Sequence, residues 1–234
     1  MNYLSGVELY YSSPGNIFNS EIRISGDEYN HCIKVMRHSV GDDLFITDGK
    51  GKIYKTRIEK IVSSKSILTA SINEVFSNKN KLENIAFCIS RLKSSERLEF
   101  ALEKCTELGI VNFIIFDSSR TIHKGNRLER WNKILLSAMK QSLLSYLPDL
   151  KIISSLQEIK NSEGEKIVLE QSAAKHLKEL SIEPKKKYFF IFGPEGGLNN
   201  EEIELFNKEN RFKLADNRLR TETAIIKCAA IISA

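Results

Sequence analysis

Two rhythms of apolar residues divide the chain. From about residue 7 to residue 76 apolar and polar positions alternate at the period of a pleated strand. Glu21-Ile22-Arg23-Ile24 alternates in this way, Asp42-Asp43-Leu44-Phe45-Ile46-Thr47 runs into Asp48-Gly49, and Ile53-Tyr54-Lys55-Thr56-Arg57-Ile58 follows at once. An Asp-Gly pair between two such runs predicts a hairpin, because positive φ costs glycine little. Ser66-Ile67-Leu68-Thr69-Ala70-Ser71-Ile72 predicts a further strand. One helical stretch interrupts them at residues 27–37, where Tyr29, Cys32, Ile33 and Met36 recur at spacings of three and four. This half predicts a small β-barrel module over residues 1–76.

After the polar stretch Ser77-Asn78-Lys79-Asn80-Lys81 the grammar changes. The pattern predicts a strand at 84–90, a helix at 95–108 ended by Gly109, a strand at 110–116, and a helix over 128–147 stopped by Pro148. It continues with a strand at 166–170, a helix around 173–180, a strand at 188–192, a helix after Asn199, a strand at 211–215 and a helix from about residue 222. Strand and helix in alternation predict an α/β domain over residues 77–234, with a parallel sheet covered on both faces. The boundary falls near residues 73–82.

Composition narrows the classes. With 41% hydrophobic and 28% charged residues in 234, the chain has enough apolar material for a core, and extended disorder is excluded. No uncharged apolar run approaches the roughly 18 residues that span a bilayer, and the first eleven residues lack the basic-then-apolar order of a signal peptide, so the protein is expected in the cytoplasm and off the membrane. Cys32, Cys88, Cys105 and Cys228 are scattered, with no C-x-x-C pair and no histidine cluster; buried thiols and no metal site are expected. The net charge of +5 agrees with a polyanionic partner without identifying one.

Two segments near the C-terminus carry the candidate chemistry. In Tyr188-Phe189-Phe190-Ile191-Phe192-Gly193-Pro194-Glu195-Gly196-Gly197-Leu198-Asn199 an apolar strand enters a glycine-rich turn, and the turn feeds a helix capped by Asn199 with Glu202 three residues on. The turn lacks the Gly-Lys-Ser/Thr ending of a phosphate loop and the G-x-G-x-x-G dinucleotide spacing. Further on, Leu214-Ala215-Asp216-Asn217-Arg218-Leu219-Arg220-Thr221-Glu222-Thr223-Ala224 opens the last helix, with Thr221 a candidate cap and Glu222 near its positive end. Parallel sheets bind ligands beyond the carboxyl ends of their strands, so two such turns at one sheet edge would enclose one pocket.

The glycine turn 193–197 and Leu219-Arg220-Thr221-Glu222-Thr223-Ala224, in that order, resemble the two hallmark motifs of the RsmE family, SPOUT-class methyltransferases of small-subunit ribosomal RNA. Glu103-Lys104-Cys105-Thr106-Glu107-Leu108-Gly109 resembles the family's K-x-T-E-L-G helix end, and Arg130-Trp131 with Gln141-Ser142 and Pro148 its next helix. His31, Lys34-Val35-Met36-Arg37, Gly41-Asp42 and Asp48-Gly49 with Gly51 resemble its PUA-like barrel. Lys140 and Leu144 depart from the family's usual long-helix pattern.

The resemblance implies S-adenosylmethionine as cofactor, methylation of N3 of a uridine in the decoding region of 16S rRNA, a C-terminal trefoil knot that wraps the cofactor, and a homodimer. It implies cofactor contacts from Glu170, Gly193, Pro194, Glu195, Gly196, Gly197, Leu214, Asn217, Leu219, Thr221, Thr223 and Ala224, with Arg220 and Glu222 as catalytic candidates. Separate cations would meet RNA: Arg23, His31, Lys34 and Arg37 in the first half, and Arg91, Lys93, Arg97, Lys104, Arg120, Lys124, Arg127 and Arg130 in the second. Two alternatives stay open: a non-catalytic rRNA-binding or ribosome-assembly factor, and a methyltransferase with a different RNA target.

Overall fold

The computed structural model describes residues 6–121 and 127–234. They form two units, one of the residues up to Asn80 together with Met139–Leu147, the other of Lys81–Ala138 and Pro148–Ala234.

In the first unit five strands, β1 (Leu9–Tyr11), β2 (Glu21–Ser25), β3 (Asp43–Thr47), β4 (Lys52–Val62) and β5 (Ile67–Ser77), lie in the order β1-β3-β4-β5-β2. All pairs are antiparallel except β1 with β3. The predicted hairpin is β3–β4, and its turn uses Gly49 at φ 66° and Gly51 at φ 105°. The buried Asp48 carboxylate ties the turn down by accepting from the amides of Lys50 (2.7 Å) and Lys52 (3.1 Å) and from the Tyr54 hydroxyl (3.2 Å). Ile22, Ile24, Leu44, Ile46, Ile58 and Leu68, alternate residues of four strands, form the core together with Tyr10, Tyr29 and Cys32. The helix expected at 27–37 is shorter and of two kinds, α1 (Gly26–Asn30) running into a π-helical turn at His31–Val35. It ends where Arg37 takes φ 60°.

The second unit holds β6 (Ile85–Ser90), α2 (Ser95–Glu107), β7 (Asn112–Phe116), α3 (Leu128–Gln141), β8 (Asp149–Ile153), α4 (Leu156–Asn161), β9 (Glu165–Leu169), β10 (Lys175–His176), β11 (Tyr188–Phe192), α5 (Asn200–Glu204), β12 (Arg211–Lys213) and α6 (Thr221–Ile232). Its seven strands run in the order β10-β12-β9-β11-β6-β7-β8, every pair parallel. Successive strand residues serve opposite faces. Phe87 and Ile89 of β6 join Leu98, Leu102, Trp131 and Ile225 from α2, α3 and α6, whereas Cys88 joins Leu156, Ile159 and Phe206 on the other face.

Several elements of this unit differ from the sequence pattern. The helix expected to reach Leu147 stops at Gln141, because Leu143 turns left-handed at φ 55°. Its amide donates to the Lys140 carbonyl (3.1 Å) and that of Leu144 to Met139 (3.0 Å), the paired bonds of a Schellman ending, here without the usual glycine. The segment Met139–Leu147 then belongs to the first unit, where Gly51 donates to Ser145 (2.9 Å), Leu147 to Gly49 (3.0 Å), and Lys140 pairs with Glu28. The helix expected at 173–180 is instead the short β10 and a 3-10 turn at Leu177–Glu179, fixed by parallel pairing of Lys175 and His176 with Phe212 and Lys213. Strand β8 and helix α4 were not anticipated.

All four cysteines are buried free thiols. Burial pushes the Cys32 thiol up to about 11 and raises Cys88, Cys105 and Cys228 as well, so all four are poor nucleophiles at neutral pH. Among the described residues no group of three or more His, Cys, Asp and Glu could hold a metal ion, and no helix is long and apolar enough to cross a membrane.

Candidate functional site

The site is built where β9 and β11, neighbours in the sheet, end together, and where the chain leaves β12. Strand β11 ends at Phe192 and the glycine turn follows. The Gly197 amide donates to the Pro194 carbonyl (2.8 Å) with Gly197 at φ 71°. A Cβ on Gly193 would come within 2.8 Å of the Leu198 nitrogen and 3.0 Å of the Gly197 carbonyl carbon, so only glycine lets the turn fold back on itself this tightly. The turn delivers Asn199 to the start of α5 with the predicted capping box, Asn199 accepting from the Glu202 amide (2.7 Å) and Glu202 accepting from the Asn199 amide (2.9 Å).

Three contacts fix the turn from outside. The Glu195 carboxylate accepts from the Lys93 amide at 3.0 and 3.3 Å, the second Glu202 oxygen accepts from the Ser119 amide at 2.7 Å, and the Arg120 guanidinium donates to the Gly196 carbonyl. The loop after β12 reaches the same place. Gln171, just past β9, donates from its amide to the carbonyls of Ala215 (3.0 Å) and Asp216 (3.2 Å), tying two strand ends together. Asp216 itself is held below the usual carboxylate range by the Lys213 ammonium and by His176. Helix α6 begins with Arg220 as its cap residue and no side-chain cap bond, so Thr221 is the first helical residue and not the cap the sequence pattern indicated.

Between these loops lies a cavity of about 460 Å³, within the range of small-molecule sites. Of the residues expected to hold a cofactor, Glu170, Gly193, Pro194, Glu195, Gly196, Gly197, Leu214, Leu219, Thr221 and Ala224 line it. Asn217 and Thr223 do not; Asn217 turns its amide to the Arg218 carbonyl (3.4 Å) and Thr223 is exposed on α6. Arg220 and Glu222 flank the lining residue Thr221 without lining the cavity themselves. Arg220 is exposed, whereas Glu222 is buried with one oxygen 3.6 Å from Arg97 and the other without a hydrogen-bond partner. Sequence reasoning missed Gln171 and Ser172 among the lining residues, and with them Ile203, Arg218 and the apolar Val168, Leu169, Phe192 and Leu198. The first two were within reach of the carboxyl-end rule, since they directly follow Glu170. A wider hollow of about 1000 Å³ beside Arg127, Arg130 and Lys133 is lined, among the described residues, by the start of α3 alone.

The expected RNA contacts fall into two kinds. Lys34, Arg37 and Lys93 are exposed, and so is Arg23, with its guanidinium 5.4 Å from the Phe18 ring. His31 is 3.0 Å from Glu8. Other cations are engaged in ion pairs: Arg91 is buried, 2.8 Å from Asp117 and 5.6 Å from the Trp131 ring, Lys104 bridges Glu103 (2.8 Å) and Glu107 (2.7 Å), and the exposed Arg130 binds both oxygens of Glu99 (2.8 and 2.7 Å). Arg127 joins Glu99 at 3.6 Å. Lys124 lies outside the described residues.

Comparison with known proteins brings the two units under one description. A family model for the RNA methyltransferase domain matches residues 78–233, and one for the RNA methyltransferase PUA domain matches residues 24–69. Ribosomal RNA small subunit methyltransferase E of Bacillus subtilis is 27% identical over 228 residues, covering 90% of this chain and 88% of that protein. The chain belongs to the RsmE family of RNA methyltransferases. Solved structures agree with the RsmE assignment. Ribosomal RNA small subunit methyltransferase E of Neisseria gonorrhoeae, crystallised bound to S-adenosyl methionine, is similar with a TM-score of 0.84 at 26% identity, over 97% of this chain and 96% of that one. A probable rRNA-methyltransferase of Porphyromonas gingivalis gives 0.83 at 28% identity, over 97% of both chains.

Proposed function

We propose that this chain transfers the methyl group of S-adenosylmethionine to N3 of a uridine in the decoding region of 16S rRNA. The observation that carries the reading is that the glycine turn and the arginine loop, about twenty residues apart in sequence, wall one cavity at the carboxyl ends of β9 and β11.

The residues present suit the cofactor. Leu214 and Leu219 offer apolar contact for a nucleoside, the turn 193–197 offers backbone groups, and the Glu170 carboxylate offers negative charge to a sulfonium. No lysine sits in the turn, as befits a ligand that carries no phosphate. When bound, the cofactor supplies an electrophilic methyl group, and the protein's part is to hold it against the acceptor and manage the acceptor's proton. Uridine N3 is protonated at neutral pH and flanked by two carbonyls, so the base becomes an anion, wholly or in part, as its proton leaves. Arg220, permanently charged and placed between the lining residues Leu219 and Thr221, stabilises that charge at a uridine oxygen. Glu222, whose second oxygen has no hydrogen-bond partner, is the candidate for polar contact with the incoming base. The target leaves its stack to reach the cavity.

In this reading residues 1–76 are the RNA-binding domain, with Arg23, His31, Lys34 and Arg37 on its RNA face, and residues 77–234 the catalytic domain, apart from the segment Met139–Leu147 that packs with the first unit. The bond from the Ser12 hydroxyl after β1 to the Arg23 carbonyl in β2 (2.7 Å) supports closing the first sheet into a barrel. The place of β12 between β9 and β10, both earlier in sequence, supports a knotted segment around the cofactor. The protein acts as a cytoplasmic homodimer without a metal.

The test is incubation with radiolabelled S-adenosylmethionine and small subunits lacking the modification, followed by mapping of the methyl group. Label at uridine N3 in the decoding region is expected. Cofactor binding without transfer would favour an assembly factor, and label at another nucleotide would change the target.

A further inference from the structure

Arg120 was expected to meet RNA, and its surroundings give it another task. Its guanidinium donates to the carbonyl of Gly196 in the middle of the glycine turn, and its Cδ lies 3.4 Å from where a Cβ on residue 196 would stand. The turn that carries Arg120 is pinned on both flanks. Before it, the Ser90 hydroxyl at the end of β6 donates to that of Ser118 (3.0 Å), and the Thr121 hydroxyl lies 3.2 Å from Ser90 and 3.1 Å from Ser118. The Ser118 amide donates to the Thr121 hydroxyl as well (2.9 Å), so three hydroxyls close a triangle beyond the carboxyl ends of β6 and β7. Beside it, the Ser119 amide donates to Glu202, the same carboxylate that closes the cap of α5 (2.7 Å). Arg120 therefore projects from a locked turn onto the most pliable part of the cavity wall.

A Gly-Gly pair loses more backbone freedom on ordering than any other dipeptide. Unless something holds Gly196-Gly197, a ligand that uses its backbone must supply that ordering free energy on binding, and affinity falls accordingly. A guanidinium on the Gly196 carbonyl holds from outside the peptide plane that joins the two glycines, as the bond from the Gly197 amide to Pro194 holds it from within the turn. It also commits the cation to the wall and away from a phosphate. We propose, on the footing of the methyl-donor reading above, that Arg120 is a positioning residue that orders the glycine turn before the donor arrives, with the Ser90, Ser118 and Thr121 hydroxyls setting its direction.

Calorimetric titration of the full chain with S-adenosylmethionine, alongside salt-dependent binding to small-subunit RNA and thermal unfolding, tests this. Arg120→Ala is expected to weaken cofactor binding roughly 10-fold while the melting temperature and the salt slope of RNA binding stay at wild-type values. Arg120→Lys restores part of the loss, and Ser118→Ala shows a smaller loss in the same direction. Should Arg120→Ala fail to fold, Arg120→Lys and Ser118→Ala carry the same comparison. Wild-type cofactor affinity in all of these variants, with RNA binding weakened and its salt slope reduced, would return Arg120 to the RNA face and overturn the proposal. Absence of cofactor binding by the unmutated protein would instead remove the methyl-donor reading and the clamp with it.

Discussion

The glycine-rich turns that follow β3 and β11 are filled differently. At residues 48–51 protein fills the space around the glycines. A Cβ on Gly49 would meet the Leu147 side chain at 2.9 Å, and one on Gly51 would meet the Tyr146 hydroxyl at 2.5 Å and the Asn78 carbonyl at 3.1 Å. At residues 193–197 the tight contact is confined to Gly193, while a Cβ on Gly196 finds only the Arg120 side chain at 3.4 Å and one on Gly197 finds nothing within 4 Å. The first turn uses glycine to let neighbouring backbone and side chains approach, so its residues belong to stability. The second uses glycine to leave room beside a cavity, which in the proposed methyl-donor reading assigns its outer residues to binding. The same residue type after the same kind of element thus carries two functions, and only the neighbours separate them.

Substitutions that exchange stability for binding put this contrast under strain. The largest effect is expected from Gly196→Val, which puts a branched side chain on the cavity wall at a residue without positive φ. Cofactor binding by calorimetry should fall below detection while thermal unfolding stays close to wild type; wild-type affinity would put the turn outside the site. Next is Gly51→Ala, which combines positive φ with displacement of Tyr146 and its bond to Asn78 (2.9 Å). Urea unfolding should show a loss of about 3 kcal/mol, with the cofactor affinity of the folded fraction unchanged. Asp48→Ala, which strands the Lys50 and Lys52 amides and the Tyr54 hydroxyl, should cost about 2 kcal/mol in the same assay. The smallest effect is confined to alkaline pH. Burial, with the Asp48 charge beside it, pushes the Tyr54 phenol up to about 12 from an ordinary 10.0, so the folded state holds that proton more tightly. The stability this provides is intact below pH 10 and is lost as pH rises toward 12; in Asp48→Ala the phenolate should appear at lower pH by absorbance, and an unchanged titration would break the pairing.

How much of this could be read from the sequence varies with how local the cause is. The Asp48-Gly49 hairpin and the Asn199–Glu202 capping box were legible because a turn or a cap is set within four residues. The end of α3 was not, because a leucine takes the left-handed position where glycine is the usual signal. Likewise β10 is a strand only because Phe212 and Lys213, more than thirty residues later, pair beside it. In the site, the meeting of the two C-terminal loops was anticipated from the carboxyl-end rule, and Glu170 with it. The division of labour among the cations was not. Arg91, Arg120 and Arg130 look alike in sequence, and their partners Asp117, Gly196 and Glu99 are 26, 76 and 31 residues away. A cation's task is set by what faces it, and pattern carries no record of that.

In the proposed reaction both C-terminal loops hold one methyl donor at once. Crystals grown with S-adenosylmethionine measure this directly: density for the donor is expected in the cavity, in contact with residues 193–198 on one side and 214–224 on the other, and a donor lodged elsewhere, or touching one loop alone, would overturn the assignment.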